Sequence, residues 1–150
     1  VYFSFAKNRD SLLSQNRRVM MNSQKLKVKC AESCGNSPKK ELLKELTIAF
    51  AKNDNGFCLE WMKDDVIWDI IGERCIQGTD EFEEALVQSG DRKAEELHID
   101  NIITHGNTGS VNGTLIFADK SRTAFCDVYN FAGFGKNAKV KKICSYRIPL

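Results

Sequence analysis

From residue 94 onward the chain is a run of long alternating segments, 94–105, 109–118, 122–132 and 138–148. Within each, apolar and polar residues follow the two-residue period of a strand. Gly106-Asn107, Asp119-Lys120 and the stretch from Gly133 to Asn137 supply the reversals between them. Consecutive strands joined by short turns pair most simply as an antiparallel meander. One face of such a sheet packs on the core, and the other meets solvent or a partner. The first half of the chain must then provide the cover.

That half reads mainly as helices. Ser37 is a cap, Pro38 suits a first turn, and Glu41 follows closely. Leu42, Leu43, Leu46, Ile48, Ala49 and Phe50 recur at helical spacing, predicting a helix over 38–53 that Asn53-Asp54-Asn55-Gly56 ends. A second helix is expected over 55–63, then strands over 65–72 and 74–77. A third helix is expected to be capped by Thr79, with Phe82, Leu86 and Val87 turned inward. Helices followed by a long meander predict an α+β domain with about three helices packed on one antiparallel sheet.

Charge separates the N-terminal part from the rest. Residues 1–40 carry nine Lys/Arg against two acids, and residues 41–150 carry thirteen against eighteen. The folded part is therefore mildly acidic, which argues against a nucleic-acid partner, since that calls for a clustered basic face. No apolar run approaches the roughly 20 residues that span a bilayer, so no membrane partner is expected. Residues 1–21 are expected to be a poorly ordered leader or extension, 22–37 an N-terminal segment, and 38–150 the domain. The six cysteines form no CxxC pair and are spread singly through apolar segments. They read as reduced, passive core thiols in a cytoplasmic protein, with neither zinc nor any other cofactor.

Two acids carry the chemical interest. Asp69 lies inside the apolar run Val66-Ile67-Trp68-Asp69-Ile70-Ile71, and Asp127 inside Phe125-Cys126-Asp127-Val128-Tyr129. A buried unpaired carboxylate costs several kcal/mol, so each needs a partner, water or a ligand. Burial would move such a group toward the range useful in acid/base work. The plainer alternative is a pocket mouth or solvated edge for Asp69, hydrogen-bonded to backbone amides, and a neighbouring donor for Asp127. Strand alternation puts Ile67, Asp69 and Ile71 on one face and Val66, Trp68 and Ile70 on the other, while Phe125, Asp127 and Tyr129 share a face. Trp68, His98, Phe125 and Tyr129 are the candidate ligand contacts. For Trp68 the competing reading is core packing, and for His98 a half-buried strand position.

The series Asp64-Asp65-Val66-Ile67-Trp68-Asp69, then Gly78-Thr79-Asp80-Glu81-Phe82, then strands ending in Ser145-Tyr146 resembles the NTF2-like superfamily, and within it SnoaL-like bacterial proteins of unassigned function. The resemblance covers about residues 36–149. It implies an NTF2-like, cystatin-like cone: three helices wrapped by a curved antiparallel sheet around an apolar pocket, usually dimeric through the outer sheet face. It also implies roles. Asp69 falls where the ketosteroid isomerases of this superfamily place a general base, and Asp127 where they place a protonated acid that stabilises an enolate. Where they carry an oxyanion tyrosine on the first helix, this chain has Leu46. Two readings stay open. One is an isomerase-like or polyketide-cyclase-like catalyst acting on a small apolar or carbonyl-containing molecule. The other is a non-enzymatic ligand carrier or partner-binding homodimer.

Overall fold

The computed structural model describes residues 25–31 and 36–150, so the leader expected over 1–21 lies outside the described residues. Among the described residues three helices and seven strands follow one another: β1 (Lys27–Cys30), α1 (Pro38–Lys52), α2 (Asn55–Glu60), β2 (Met62–Ile70), β3 (Arg74–Gln77), α3 (Gly78–Ser89), β4 (Ala94–His105), β5 (Thr108–Phe117), β6 (Arg122–Phe131) and β7 (Val140–Pro149). No helix among them is long and apolar enough to cross a membrane.

Local chemistry explains the helix ends. Ser37 Oγ accepts from the Lys40 N–H at 3.4 Å, and Pro38 sits at the first helical position of α1. Asn53 stops α1 in a left-handed conformation at φ 59°, a geometry its short amide side chain tolerates. Asp54 then caps α2 by accepting from the Phe57 N–H at 3.2 Å. Strand β2 begins at Met62, so α2 is shorter than the expected 55–63. In α3 the cap position falls to Gln77, with Thr79 inside the first turn; Gly78, at φ 81°, makes the sharp turn out of β3 that glycine permits. Glu81 closes that end by accepting from the Gln77 N–H at 3.0 Å. Val87, expected inside, is 62% exposed; Phe82, Ala85 and Leu86 form the buried stripe.

The sheet is mixed, not wholly antiparallel. Its order is β1-β4-β5-β6-β7-β2-β3. The expected meander holds for β4 to β7, but β1 runs parallel to β4 and β2 runs parallel to β7. The reason is connectivity. The β2–β3 hairpin docks beside the last strand, and α3 carries the chain from β3 across to β4. At Gly113 a Cβ would lie 1.9 Å from the His98 carbonyl oxygen, beside the irregularity between Ile99 and Asn101. Only glycine fits there, and bulges of this kind let a sheet bend.

One core unites the elements. Leu42, Leu43 and Leu46 of α1, Cys58 of α2 and Phe82 and Leu86 of α3 meet Val66, Trp68, Leu97, Val111, Tyr129 and Ile143 from the sheet. The helices thus cover one sheet face. Cys58 is buried and free, as are the thiols of half-buried Cys126 and Cys144 and exposed Cys75. Cys30 is disulfide-bonded, which overturns the expectation that all the thiols are reduced.

Candidate functional site

A cavity of about 340 Å³ opens between the end of α1, the end of α3 and the covered sheet face. Phe50, Ala51 and Asn53 close it on the helical side; Trp68 and Ile70 of β2, Leu97 of β4, Leu115 and Phe117 of β5 and Phe125 of β6 form most of the apolar wall. Phe50, Trp68 and Phe82 pack as a tilted aromatic trio, with ring centroids 5.0 to 6.2 Å apart. Arg92, stacked 3.8 Å over the Phe117 ring, and exposed Glu73 stand among the lining residues as charged groups.

Cross-strand register builds the polar centre. Ser145 is the direct partner of Asp127 across β6 and β7, and of Ile70 across β7 and β2. Arg147 is two residues further along β7, on the same face. Asp127 is 6% exposed. Its Oδ1 accepts from Ser145 Oγ at 2.6 Å and from Arg147 Nη1 at 2.8 Å, and its Oδ2 accepts from Arg147 Nη2 at 3.2 Å. Trp68 Nε1 donates to Ser145 Oγ at 2.9 Å, completing a chain from indole to hydroxyl to carboxylate. Arg147 also lies 5.5 Å from the Phe125 ring centre. A two-pronged guanidinium–carboxylate pair of this kind is rigid and directional.

The candidate residues separate by face. Trp68, Phe125 and Asp127 line the cavity. Asp69 does not. It is in register with Cys75 and Cys144 on the opposite sheet face, away from Trp68 and Ile70. The two acids that the resemblance pairs therefore face different sides of the sheet. Asp127, cast as a hydrogen-bond donor by that resemblance, is here an acceptor from three donors. His98 is also outside the cavity; its Nε2 lies 2.9 Å from Glu96 Oε2. That hydrogen bond is the main reason the Glu96 carboxyl titrates below its usual range. Leu46, where the resemblance would put a tyrosine, is wholly buried core.

Tyr129 lies deeper than the cavity wall. It is fully buried, and its hydroxyl has no hydrogen-bond partner among the described residues. Burial first, then the Asp127 charge, raises the phenol well above its ordinary pKa, so it stays protonated. Sequence reasoning missed Ser145, Arg147 and Asn53. The signal for the first two was the alternation Ile143, Ser145, Arg147, which aims a donor pair at whichever neighbouring strand carries an acid. Asn53 read only as a helix breaker, yet it lines the cavity with a buried side-chain Nδ2 that has no partner among the described residues.

No family model matches the sequence, and no curated protein does. Solved structures do match. An NTF2-like protein of unknown function from Burkholderia xenovorans LB400 superposes with a TM-score of 0.61 at 20% identity, over 73% of this chain and 82% of that one. A candidate SnoaL-like polyketide cyclase from Shewanella denitrificans OS-217 gives 0.62 at 9% identity, over 73% and 90%. The epoxide hydrolase/cyclase-like enzyme SalBIII, described in pyran ring formation in the polyether salinomycin, gives 0.59 at 13% identity, over 73% and 90%. Together with the α+β architecture, these likenesses show that the chain has the NTF2-like fold.

Proposed function

We propose that this chain is a small-molecule-binding module whose cone-like cavity takes one largely apolar ligand. The observation that carries the reading is the cavity itself: about 340 Å³, walled by aromatic and aliphatic side chains, with one fixed ion pair in its floor. Ligand sites usually have volumes of roughly 300–1,000 Å³ with a few convergent polar groups. The neutral Asp127–Arg147 pair orients a ligand without demanding a charged one.

Of the two functional readings, the non-enzymatic one fits better. Proton abstraction beside a carbonyl needs a base within reach of the same ligand as the oxyanion donor. Asp69 faces away, and Asp127 is already committed to Ser145 and Arg147. The cyclase activity named for some structures of this fold does not transfer by fold alone. We also read the uncovered sheet face as a homodimer surface, because Ile103, Tyr146 and Ile148 on it are 64, 44 and 61% exposed.

The test is binding of an uncharged apolar fluorescent dye, N-phenyl-1-naphthylamine, followed by titration. One site per chain is expected. Leu115→Trp, which fills the cavity from β5, should abolish binding while leaving the far-ultraviolet circular dichroism unchanged. Undiminished binding by that variant would place the dye elsewhere and remove the support for this reading.

A further inference from the structure

Beneath the cavity is a gap of about 10 Å³, enough for one non-hydrogen atom. Five of its seven lining residues, Phe50, Trp68, Asp127, Ser145 and Arg147, also line the cavity; Tyr129 and Ile143 complete it. The gap is thus the deep end of the same site. The hydrogen-bond inventory around it is unbalanced in a specific way. The Tyr129 hydroxyl, wholly buried, donates to nothing among the described residues. Asp127 Oδ1 accepts twice, but Oδ2 accepts only from Arg147 Nη2, at 3.2 Å. Ser145 is already used in both directions, accepting from Trp68 and donating to Asp127.

An atom that satisfies both ends must accept from Tyr129 and donate to a carboxylate. A hydroxyl oxygen does this. A carbonyl or ether oxygen would satisfy the phenol but would set a lone pair against Asp127. We propose that the gap is a subsite for one hydroxyl oxygen, held by a water molecule in the free protein and by the O–H of an apolar alcohol when a ligand is bound. The ligand half of this rests on the cavity reading above; the water half does not. Buried protonated Tyr129 supplies the donor, and the carboxylate supplies the acceptor. The site thereby prefers an alcohol to the corresponding ether or hydrocarbon.

The test uses three probes of nearly equal shape, 2-naphthol, 2-methoxynaphthalene and naphthalene, titrated into wild type and Tyr129→Phe. Wild type should bind the naphthol about tenfold more tightly than the ether. Tyr129→Phe should erase that difference and leave naphthalene affinity unchanged. Equal affinities in wild type, or a preference that survives in Tyr129→Phe, overturn the subsite. Thermal unfolding without ligand decides the water half. Loss of a water-satisfied hydroxyl should lower the Tyr129→Phe midpoint by a few degrees, whereas a hydroxyl with no partner costs stability, so its removal would raise the midpoint and refute the water. If none of the probes binds, the ligand half falls with the cavity reading, and the midpoint alone decides the water.

Discussion

Replacing Arg147 with methionine is the sharpest probe of the site, because it keeps most of the side-chain length and removes the charge. The Asp127 side chain is 8% exposed and would be left with Ser145 Oγ as its one side-chain hydrogen-bond donor among the described residues. Removing one partner of a buried ion pair costs about 3–5 kcal/mol. The Arg147 side chain is 30% exposed, so water can reach part of the space it leaves, and the Ser145 bond persists. Both facts discount the loss, to about 2–3 kcal/mol. For a domain of this size that is a fall of about 5–10 °C in the unfolding midpoint. The matched control is Asp127→Leu combined with Arg147→Met, which leaves no stranded charge. Apolar replacement of both partners is often neutral, so the double variant should recover at least half of the loss. Urea unfolding at pH 7 of wild type, both single variants and the double variant closes the cycle. If Arg147→Met costs under about 0.5 kcal/mol, or if the double variant is less stable than either single one, the pair is not the buried, coupled unit described here.

Two further outcomes are expected. Burial, then the Asp54 charge, pushes the Cys58 thiol from 9.0 up to about 12. The unfolded thiol ionises from about pH 9 while the folded one keeps its proton, so this contribution is whole below pH 9 and is lost as pH rises toward 12. Cys58→Ala should flatten the wild-type decline in urea-unfolding free energy over that window; an identical decline in the variant would refute the assignment. Tyr146→Glu, on the uncovered sheet face, should convert a dimer to a monomer in light scattering while preserving dye binding. A wild-type monomer would end the homodimer reading.

Much of the fold was legible because its determinants are local. Alternation fixed β4 to β7 to within two residues at either end, and Ser37-Pro38 marked the start of α1. The parallel pairings were not legible. Nothing in Lys27–Cys30 or Met62–Ile70 names the strand beside it, since parallel neighbours lack a connecting turn to declare them. The site was half legible for the same reason. Asp127, Trp68 and Phe125 could be assigned to faces from period alone, and the same alternation put Asp69 opposite Trp68. Pairing Asp69 with Asp127 came from the resemblance and needed two distant strands to present the same face. Ser145 and Arg147 were invisible as partners until β7 was known to lie between β6 and β2.

That placement of β7 has a consequence for the order of events in folding. The strand comes last among the described elements in the chain, yet it sits inside the sheet, hydrogen-bonded on both sides. During synthesis β2, β3 and the three helices emerge with no sheet partner beyond their own hairpin, and β2 keeps an open edge until residues 140–149 arrive. Pairings that join residues about 75 positions apart, such as Trp68 with Ile143, close late because their loop entropy must be met first. The nascent N-terminal half therefore carries an unprotected, largely apolar strand edge, a place where chains can associate wrongly or a chaperone can hold on. The same ten residues that seal this edge deliver Ser145 and Arg147 to Asp127. Completion of the sheet and assembly of the polar floor are one step.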